Sequence, residues 1–366
     1  MAEATFEAIK FTSVEDKDFG VTVRKRVNEY FKSNKISKLG DYRIWTKVVV
    51  MPLVYFLAFG LIMTNWFSGN LLIFYSLWMV MAISLSGAGF AIMHDACHGA
   101  LSKKRSVNDF FGALVLNLAG GATINWKIQH NVLHHTYTNI DGFDDDIDPG
   151  GIMRFSPHQP QKWFYRFQIV YAWFFYALLT FSWATYKDFL QLDRYRKKGL
   201  LKGQGSTFGK ELVKLIILKI AYYSVFIALP ILVLDVAWGH IVVAWLSMHF
   251  VSGFILGIVF QPAHVIPETE YPLPDKNNTV EGDWAKHQML TTANFSPNNR
   301  LFSWYVGGLN FQIEHHLFPN ISHVHHRSIS KIVKATAKEF GIPYNLQPTF
   351  IGALANHAKM LYKLGK

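Results

Sequence analysis

The sequence predicts an all-α integral membrane protein with four transmembrane helices in two hairpins, two interfacial helices and a cytoplasmic helical cap. Three observations predict this class. Of the 366 residues, 51% are hydrophobic and only 17% are charged, against about 25% charged in a typical soluble domain. Four apolar stretches approach the ~20 residues that cross a bilayer, and histidine clusters lie beside them. We expect a cytoplasmic N-terminal segment (residues 1–40) and one membrane domain with its cap (residues 41–366).

The four predicted spans form two pairs with very short links. The first pair covers residues 47–66 and 70–93, and the second covers residues 212–234 and 238–260. Lys219 falls within the third span, and we expect its side chain to reach the headgroups from near the helix end. The links lack lysine and arginine, whereas basic residues crowd the segments on the other side. By the positive-inside tendency, those segments and both termini are cytoplasmic.

Two further apolar stretches, residues 109–125 and 163–183, are ambiguous. If the histidine clusters on either side of each stretch share one site, the number of crossings between them must be even. Neither stretch can then cross the membrane alone. The second is rich in tryptophan and tyrosine, which suits a helix in the headgroup belt. We therefore predict two interfacial helices, with a six-span arrangement as the alternative on hydropathy alone.

Charge and cysteine content narrow the class further. The net charge is +11, but the basic residues lie between apolar spans rather than on one face, so attraction to anionic lipid headgroups fits better than nucleic acid. Cys97 is the only cysteine, which excludes disulfides within the chain and suits a small buried filler. Residues 1–40 lack the apolar core of a cleavable signal.

Three histidine clusters indicate the chemistry. His94 and His98 are four residues apart, so on a continuing helix both rings project from one face. One such pair is weak, because the spacing is common on amphipathic helices. The other clusters, which return to the same predicted membrane face, are His130 with His134 and His135, and His315 with His316 one turn after Gln312. A four-coordinate zinc needs only four ligands, so seven imidazoles indicate two metal ions.

The remaining histidines are assigned from their neighbours. His264 follows the fourth span and is either a further ligand or a ring hydrogen-bonded at a helix end. His240 lies at the far end of that span and His249 lies inside it. We expect both to pack against neighbouring side chains or to lie at the membrane interface. Arg327 and Lys331 indicate a solvated basic segment for their neighbours His323, His325 and His326.

Several acids follow the clusters and could hold a ring in one tautomer through a hydrogen bond. Asp95 follows His94. As alternatives, its side chain could cap the helix end or contact a nearby base. Of Asp144, Asp145 and Asp146, we expect at least two to form an acidic turn at the water interface. Asp146 is the one that we assign to a histidine partner.

The identity of the metal follows from the reaction as well as from the ligands. Imidazole suits zinc, copper, iron and nickel. No acid, base or nucleophile in the sequence could cleave the unactivated C–H bonds of a lipid chain, whereas iron with dioxygen can. A hydroxylase with the same metal site is one alternative. A metal transporter is another, although it would want ionisable residues deep in the spans, and residues 47–93 offer none there.

The three clusters resemble the histidine boxes of the membrane fatty acid desaturases. They read His94-Asp95-Ala96-Cys97-His98, His130-Asn131-Val132-Leu133-His134-His135 and Gln312-Ile313-Glu314-His315-His316. A glutamine that opens the third box is typical of the front-end group, which inserts a double bond between an existing one and the carboxyl end. The resemblance runs from about Asp41 to the C-terminus.

This resemblance implies four spans and a cytoplasmic site with two iron ions, dioxygen as co-substrate and an unsaturated, linoleoyl-type acyl chain on CoA or a lipid. It adds His264 to the ligands and puts Gln312 where other desaturases have a histidine. Many front-end members carry a fused cytochrome b5 domain with a His-Pro-Gly-Gly motif, which this sequence lacks, so a separate ferredoxin or cytochrome b5 is expected. The family often shows Asp-Pro-Asp where this chain has Asp144-Asp145-Asp146.

Overall fold

The computed structural model describes residues 6–12 and 17–366. The parts of the predicted N-terminal segment at residues 1–5 and 13–16 lie outside the described residues. The helices in the described part are α1 (Lys17–Ser33), α2 (Tyr42–Met63), α3 (Leu71–Cys97), α4 (Arg105–Leu118), α5 (Thr123–Tyr137), α6 (Gln168–Ala177), α7 (Leu179–Ala184), α8 (Lys187–Lys197), α9 (Leu200–Gly203), α10 (Phe208–Val233), α11 (Trp238–Ala263), α12 (Trp284–Leu290), α13 (Arg300–Tyr305), α14 (Gln312–Leu317), α15 (His326–Glu339) and α16 (Phe350–Gly365).

Strands contribute little to the described residues. They pair as two parallel ribbons, β1 (Lys10–Thr12) with β2 (Thr279–Glu281) and β3 (Asn294–Phe295) with β4 (Leu346–Gln347). Short 3₁₀ turns precede α6 (Trp163–Phe167) and α15 (His323–His325). The structure thus confirms the predicted all-α class.

Helices α2, α3, α10 and α11 are long and apolar enough to cross a membrane, which confirms the four predicted spans. They form two hairpins because only residues 64–70 and 234–237 separate the members of each pair. Asn70 caps α3 by accepting a hydrogen bond from the Ile73 amide at 3.2 Å. Half of the membrane-length windows of α3 and α11 is buried, against 33% for α2 and 22% for α10. Helices α3 and α11 are therefore the inner pair.

The second span continues past the predicted end at residue 93. A buried π-helical turn, Gly89–Met93, leads directly into a last α-helical turn, His94–Cys97. Hydropathy falls at His94, but the helix continues because these side chains are buried in protein rather than exposed to solvent. A π-turn inside an α-helix often marks a functional site, and here it sets the direction of the first histidine pair.

The first ambiguous stretch is a bent pair of helices. Helices α4 and α5 meet at 106° across residues 119–122, so by length and composition they are a broken span or a re-entrant loop. The rings of His98, before the pair, and His130, within α5, are only 5.3 Å apart. The chain therefore returns to the end of the bundle from which it started, as the parity argument predicts.

The second ambiguous stretch is too broken to span. Residues 163–183 fold into the 3₁₀ turn, α6 and the start of α7, and no single helix there reaches the length of a span. Trp163 and Phe167 leave 73% and 52% of their surface exposed. Exposed aromatic rings on short helices fit the predicted interfacial position.

Lys219 does not reach outward from α10 as predicted. Its ammonium is buried and donates hydrogen bonds to Asp188 Oδ2 at 2.9 Å, to the Gly120 carbonyl at 2.6 Å and to the Trp183 carbonyl. The expectation was wrong because it assumed lipid around the side chain, whereas the α4–α5 corner and α7 each supply a carbonyl and α8 supplies a carboxylate. A buried cation with such partners links these three parts of the fold.

The cap covers the end of the bundle that carries the histidines. Helix α1 shares an apolar core with α15, through Phe19, Val23 and Val27 on one side and Ile329 and Val333 on the other. The N-terminal segment thus packs as part of the cap, and the domain boundary at residue 41 stays a prediction.

The cap contacts α3 closely at one glycine. Gly307, between α13 and α14, has φ +57°, and a Cβ there would overlap the Phe90 carbonyl in the π-turn. This contact brings the segment that carries the third histidine cluster against the end of α3.

Candidate metal centre

The eight histidines that the sequence singles out as ligands lie at one end of the helix bundle. His94 is on the last turn of α3 and His98 directly follows it. The second cluster lies on α5, whose middle is π-helical from Lys127 to His134. His264 follows α11, and the third cluster is on the short cap helix α14.

Four of these side chains form a first group. His94, His98, His130 and His315 each offer a ring nitrogen, and these four atoms lie within 4.8 Å of one another. The Nε2 atoms of His94 and His130 are 3.2 Å apart. The group thus joins all three histidine clusters at one point.

A second group forms from His134, His264 and His316, whose ligand atoms also lie within 4.8 Å of one another. The His264 ring is 4.7 Å from that of His134 and 4.8 Å from that of His316. His264 therefore lies beside both the second and the third cluster, and its role as a ligand stays a prediction.

His135 lies between the two groups. Its ring centroid is 4.5 Å from that of His315, in the first group, and 4.4 Å from that of His316, in the second. Its Nε2 is 3.2 Å from the Nε2 of His130. The eight rings consequently form one continuous cluster with two centres.

Many of these nitrogens are buried without a hydrogen-bond partner among the described residues. They are Nε2 of His98, His264, His315 and His316, and Nδ1 of His135. Leaving such a group unpaired costs about 1–3 kcal/mol. Burial also lowers the pKa of His135, His315 and His316 well below the usual range, so these rings are neutral, as metal ligands must be. The donor set therefore fits metal ions.

The hydrogen bonds of the second group fix its tautomers. Nδ1 of His134 contacts Asp144 Oδ1 at 3.0 Å, and Nδ1 of His264 contacts the Thr291 carbonyl at 3.2 Å. Nδ1 of His316 contacts Gln288 Oε1 at 2.8 Å. When each Nδ1–H donates to its oxygen, the three Nε2 lone pairs are free to bind a metal.

Two carboxylates of the run Asp144-Asp145-Asp146 contact histidines of the second cluster. Asp146 Oδ2 contacts Nδ1 of His130 at 3.0 Å, as predicted for this residue. Although burial alone raises its pKa, His134 and His130 keep the pKa of Asp146 well below the usual range. Burial lowers the pKa of His134, but Asp144 and Asp146 outweigh it and raise that pKa to about 9. A metal ion that binds Nε2 of His134 would therefore displace a proton from it, while Nδ1–H stays bonded to Asp144.

The acidic turn that we expected at the water interface is not there. Asp144 and Asp145 are 1% and 9% exposed. Asp144 binds His134, while Asp145 Oδ2 accepts from Arg194 at 2.6 Å and from the Tyr195 hydroxyl at 2.7 Å. The prediction was wrong because α8 and α5 enclose the run and supply the partners that water would otherwise supply.

Asp95 contacts a base in the cap, which was one of the alternatives, rather than one of the eight histidines. Its Oδ2 accepts from the Ser322 hydroxyl at 2.6 Å and contacts His323 Nδ1 at 3.0 Å. No hydrogen bond joins it to the eight histidines in the described part of the chain. Its helix direction points it toward the cap, where it anchors the loop before α15.

The interpretation of His323, His325 and His326 as a solvated segment was wrong. The three side chains are only 6%, 4% and 1% exposed. The ammonium of Lys47 lies 2.8 Å from His323 Nε2, opposite the Asp95 contact. The basic neighbours in the sequence project to solvent, while the histidines turn inward on the first turns of the same segment.

Other predicted residues stand as follows. Gln312 is 1% exposed, and its Nε2 has no partner among the described residues, so its role stays a prediction. His249 packs inside the bundle as expected and contacts the Tyr222 hydroxyl at 2.5 Å. His240 contacts the Tyr75 hydroxyl at 3.0 Å. Cys97 is a buried free thiol, as expected for a filler.

Sequence reasoning did not single out Gln288 and Thr291. Both belong to the segment around α12, whose composition gives no sign of a site, and only the packing of α12 against α14 brings them to the histidines. The role of Asp144 could have been inferred from its position in the run Asp144-Asp145-Asp146, which follows the second histidine cluster.

A cavity of about 540 Å³ begins at the histidine cluster. His130, His134 and His264 line its inner end, and apolar side chains of α6, α7 and α11 line much of the rest, including Phe175, Leu179, Trp183 and Phe260. Its rim includes Ile152, Tyr186 and Leu190, which are 42%, 55% and 64% exposed. A largely apolar cavity of this volume suits an apolar chain.

Comparison with known proteins identifies the family. The profile described as fatty acid desaturase matches residues 70–348. The sn-1 linoleoyl-lipid 6-desaturase of Synechocystis sp. is 33% identical over 367 residues, which cover 99% of each chain. The acyl-lipid (8-3)-desaturase of Physcomitrium patens is 33% identical over 98% of this chain and 74% of its own. The sn-1 linoleoyl-lipid 6-desaturase of Arthrospira platensis is 33% identical over 94% of this chain and 92% of its own.

The chain belongs to the fatty acid desaturase family. Its relatives place it in the front-end group, as the third histidine box predicted. It is accordingly an oxidoreductase that desaturates fatty acyl chains, and the hydroxylase and transporter alternatives are not supported.

Proposed function

We propose that the eight histidines bind two iron ions and that this centre desaturates a linoleoyl-type chain esterified to a membrane lipid. One observation carries the proposal: eight imidazoles converge at the inner end of an apolar cavity, five of them with a buried nitrogen that has no partner in the described structure. Reduced iron supplies, with dioxygen, the oxidising power to remove hydrogen from unactivated carbons.

The overall reaction balances with an external source of electrons. Two hydrogens leave neighbouring methylenes, and together with dioxygen, two electrons and two protons they give a cis alkene and two waters. The protein must therefore hold the two carbons beside the histidines and exclude bulk water. The apolar walls around Leu179, Trp183 and Phe260 serve both purposes.

The carbon that reacts is set by how far the chain enters the cavity. When an acyl chain lies along α6 and α7, the depth to which it enters decides which of its carbons lie beside His130 and His134. Because two relatives are named linoleoyl-lipid 6-desaturases, we assign a linoleoyl-type substrate. The new cis double bond then forms on the carboxyl side of an existing one.

The rim of the cavity favours a lipid over CoA as the acyl carrier. Its exposed apolar residues, Ile152, Tyr186 and Leu190, allow entry from the bilayer. Asp145, Asp146 and Asp148 also line this cavity, against the two cations Lys187 and Arg194, and Arg194 already binds Asp145 at 2.6 Å. The lining therefore offers no excess of cations to bind the several phosphates of CoA.

We place the site and both termini on the cytoplasmic side of a bacterial inner membrane or of the endoplasmic reticulum. The support is the distribution of basic residues, which avoid the short links of both hairpins and crowd the segments at the opposite end. The histidine cluster lies at that basic end, where a separate ferredoxin or cytochrome b5 could reach it.

Expression in a host fed linoleate tests the proposal directly. We expect lipids with one additional cis double bond between the existing bonds and the carboxyl group, located by mass spectrometry. The His316→Ala variant, expressed at the same level, should give none. In isolated membranes, linoleoyl-lipid should be converted and linoleoyl-CoA should not unless acyl transfer occurs first. Hydroxylated products, or unchanged linoleate, would contradict the proposal.

A further inference from the structure

A second cavity opens beside the histidine cluster on a different side from the acyl cavity. It has a volume of about 550 Å³ and lies between the end of α3 and the start of α4. Its lining includes His98, Gly99, Lys103, Arg105 and Lys127. It shares no lining residue with the acyl cavity, so a partner there would leave the route of the substrate open.

His98 connects this cavity to the metal centre. Seven of the eight candidate ligand histidines are buried, with at most 5% of their surface exposed, whereas His98 is partly exposed. Its ring forms part of the cavity wall, yet its Nε2 is buried and unpartnered within the described cluster. The ring lies 4.8 Å from that of His94 and 4.7 Å from that of His135. One imidazole therefore separates the centre from the surface.

The surface around this opening is basic. Lys103, Lys104 and Arg105 are consecutive and exposed, and the Arg105 side chain is 94% exposed. The carboxylate in the lining, Asp109, already contacts Lys127 at 2.8 Å and Arg105 at 3.5 Å. The patch of Lys103, Lys104, Arg105, Lys127 and Asp109 thus carries a net charge of about +3 at neutral pH.

We propose that this basic cavity is the docking surface through which a small acidic one-electron carrier protein reduces the metal centre by way of His98. The proposal rests on the function proposed above. Each docking delivers one electron, so two reduced carriers are oxidised for each double bond. Charge complementarity identifies an acidic partner. The basic patch would also attract lipid headgroups. Headgroup binding, however, would not explain why His98, a proposed metal ligand, is partly exposed in the wall of this cavity.

The double variant Lys103→Glu/Lys104→Glu, purified with its iron, tests the docking surface. Desaturation is measured with reduced [2Fe–2S] ferredoxin, with reduced soluble cytochrome b5, and with reduced methyl viologen, a small cation. Binding of the two carrier proteins is measured separately, and the variant should have a raised Kd for the preferred carrier. We expect kcat/KM for the preferred carrier to fall ~10–100-fold at low salt, because electrostatic steering raises association rates by this order. The rate driven by methyl viologen should not fall. For the unmodified enzyme, kcat/KM for the carrier should itself decrease as salt increases.

Lys331→Glu/Lys338→Glu is the matched control, because it reverses two exposed lysines on the cap helix α15. It should leave kcat/KM for the carrier within ~2-fold, since the charges lie away from the approach path. Equal losses in both double variants, equal losses with carrier and viologen, or a carrier rate independent of salt would overturn the proposal. If the unmodified enzyme desaturated nothing with any donor, the proposed function itself would fail.

Discussion

Replacing His135 with alanine is expected to reduce desaturation more than ~100-fold and to lower the bound iron below two per chain. The ring lies between the two histidine groups, 4.5 Å from His315 and 4.4 Å from His316. Its loss removes one proposed ligand and the ring that contacts both groups. Loss of a residue that only supports a metal ligand already costs ~10–100-fold in affinity or activity, so removal of a ligand should cost more.

The measurement is turnover and iron content of the purified variant, with His158→Ala as the control. His158 is exposed and hydrogen-bonds the Tyr271 carbonyl at 2.7 Å, on the outside of the protein. It should keep its iron and nearly all of its activity. A His135 variant that retained two irons and normal turnover would show that this ring is a packing residue.

Neutralising Asp144 is expected to weaken iron binding by ~10–100-fold, the range found when the partner of a metal-bound histidine is changed. In Asp144→Asn the side chain keeps its shape but loses the charge that holds Nδ1 of His134 at 3.0 Å. The preference for the tautomer with a free Nε2 then decreases, and iron should dissociate at a lower chelator concentration.

Asp145→Asn provides a matched control at the next position. Asp145 is buried like Asp144 but binds Arg194 and Tyr195 instead of a histidine. Its neutralisation should lower thermal stability while leaving iron affinity within ~3-fold, because no ligand ring depends on it. Equal loss of iron in both variants, titrated with the same chelator, would contradict the specific role of Asp144.

Local sequence pattern sufficed for the spans and for the histidine cluster. The four apolar stretches appear as α2, α3, α10 and α11 because a bilayer requires long apolar helices, whatever surrounds them. The parity argument started from the assumption that the clusters share one site, and it concluded that neither ambiguous stretch crosses the membrane alone. It worked because His98 and His130 must meet, which forces the α4–α5 pair to turn back.

Burial of polar residues could not be predicted in the same way. Lys219 and His323 were expected to reach headgroups or water, yet each is buried against a segment distant in sequence. Asp188, the partner of Lys219, is 31 residues away, and Asp95, the partner of His323, is 228 residues away. Such contacts depend on tertiary packing, and no local pattern encodes them.

Anomalous diffraction at the iron edge, from crystals of the iron-loaded enzyme, tests the central claim most directly. We predict two iron peaks in each chain, one among His94, His98, His130 and His315 and the other among His134, His264 and His316, with His135 beside both. A single peak, or iron bound outside these rings, would contradict the account.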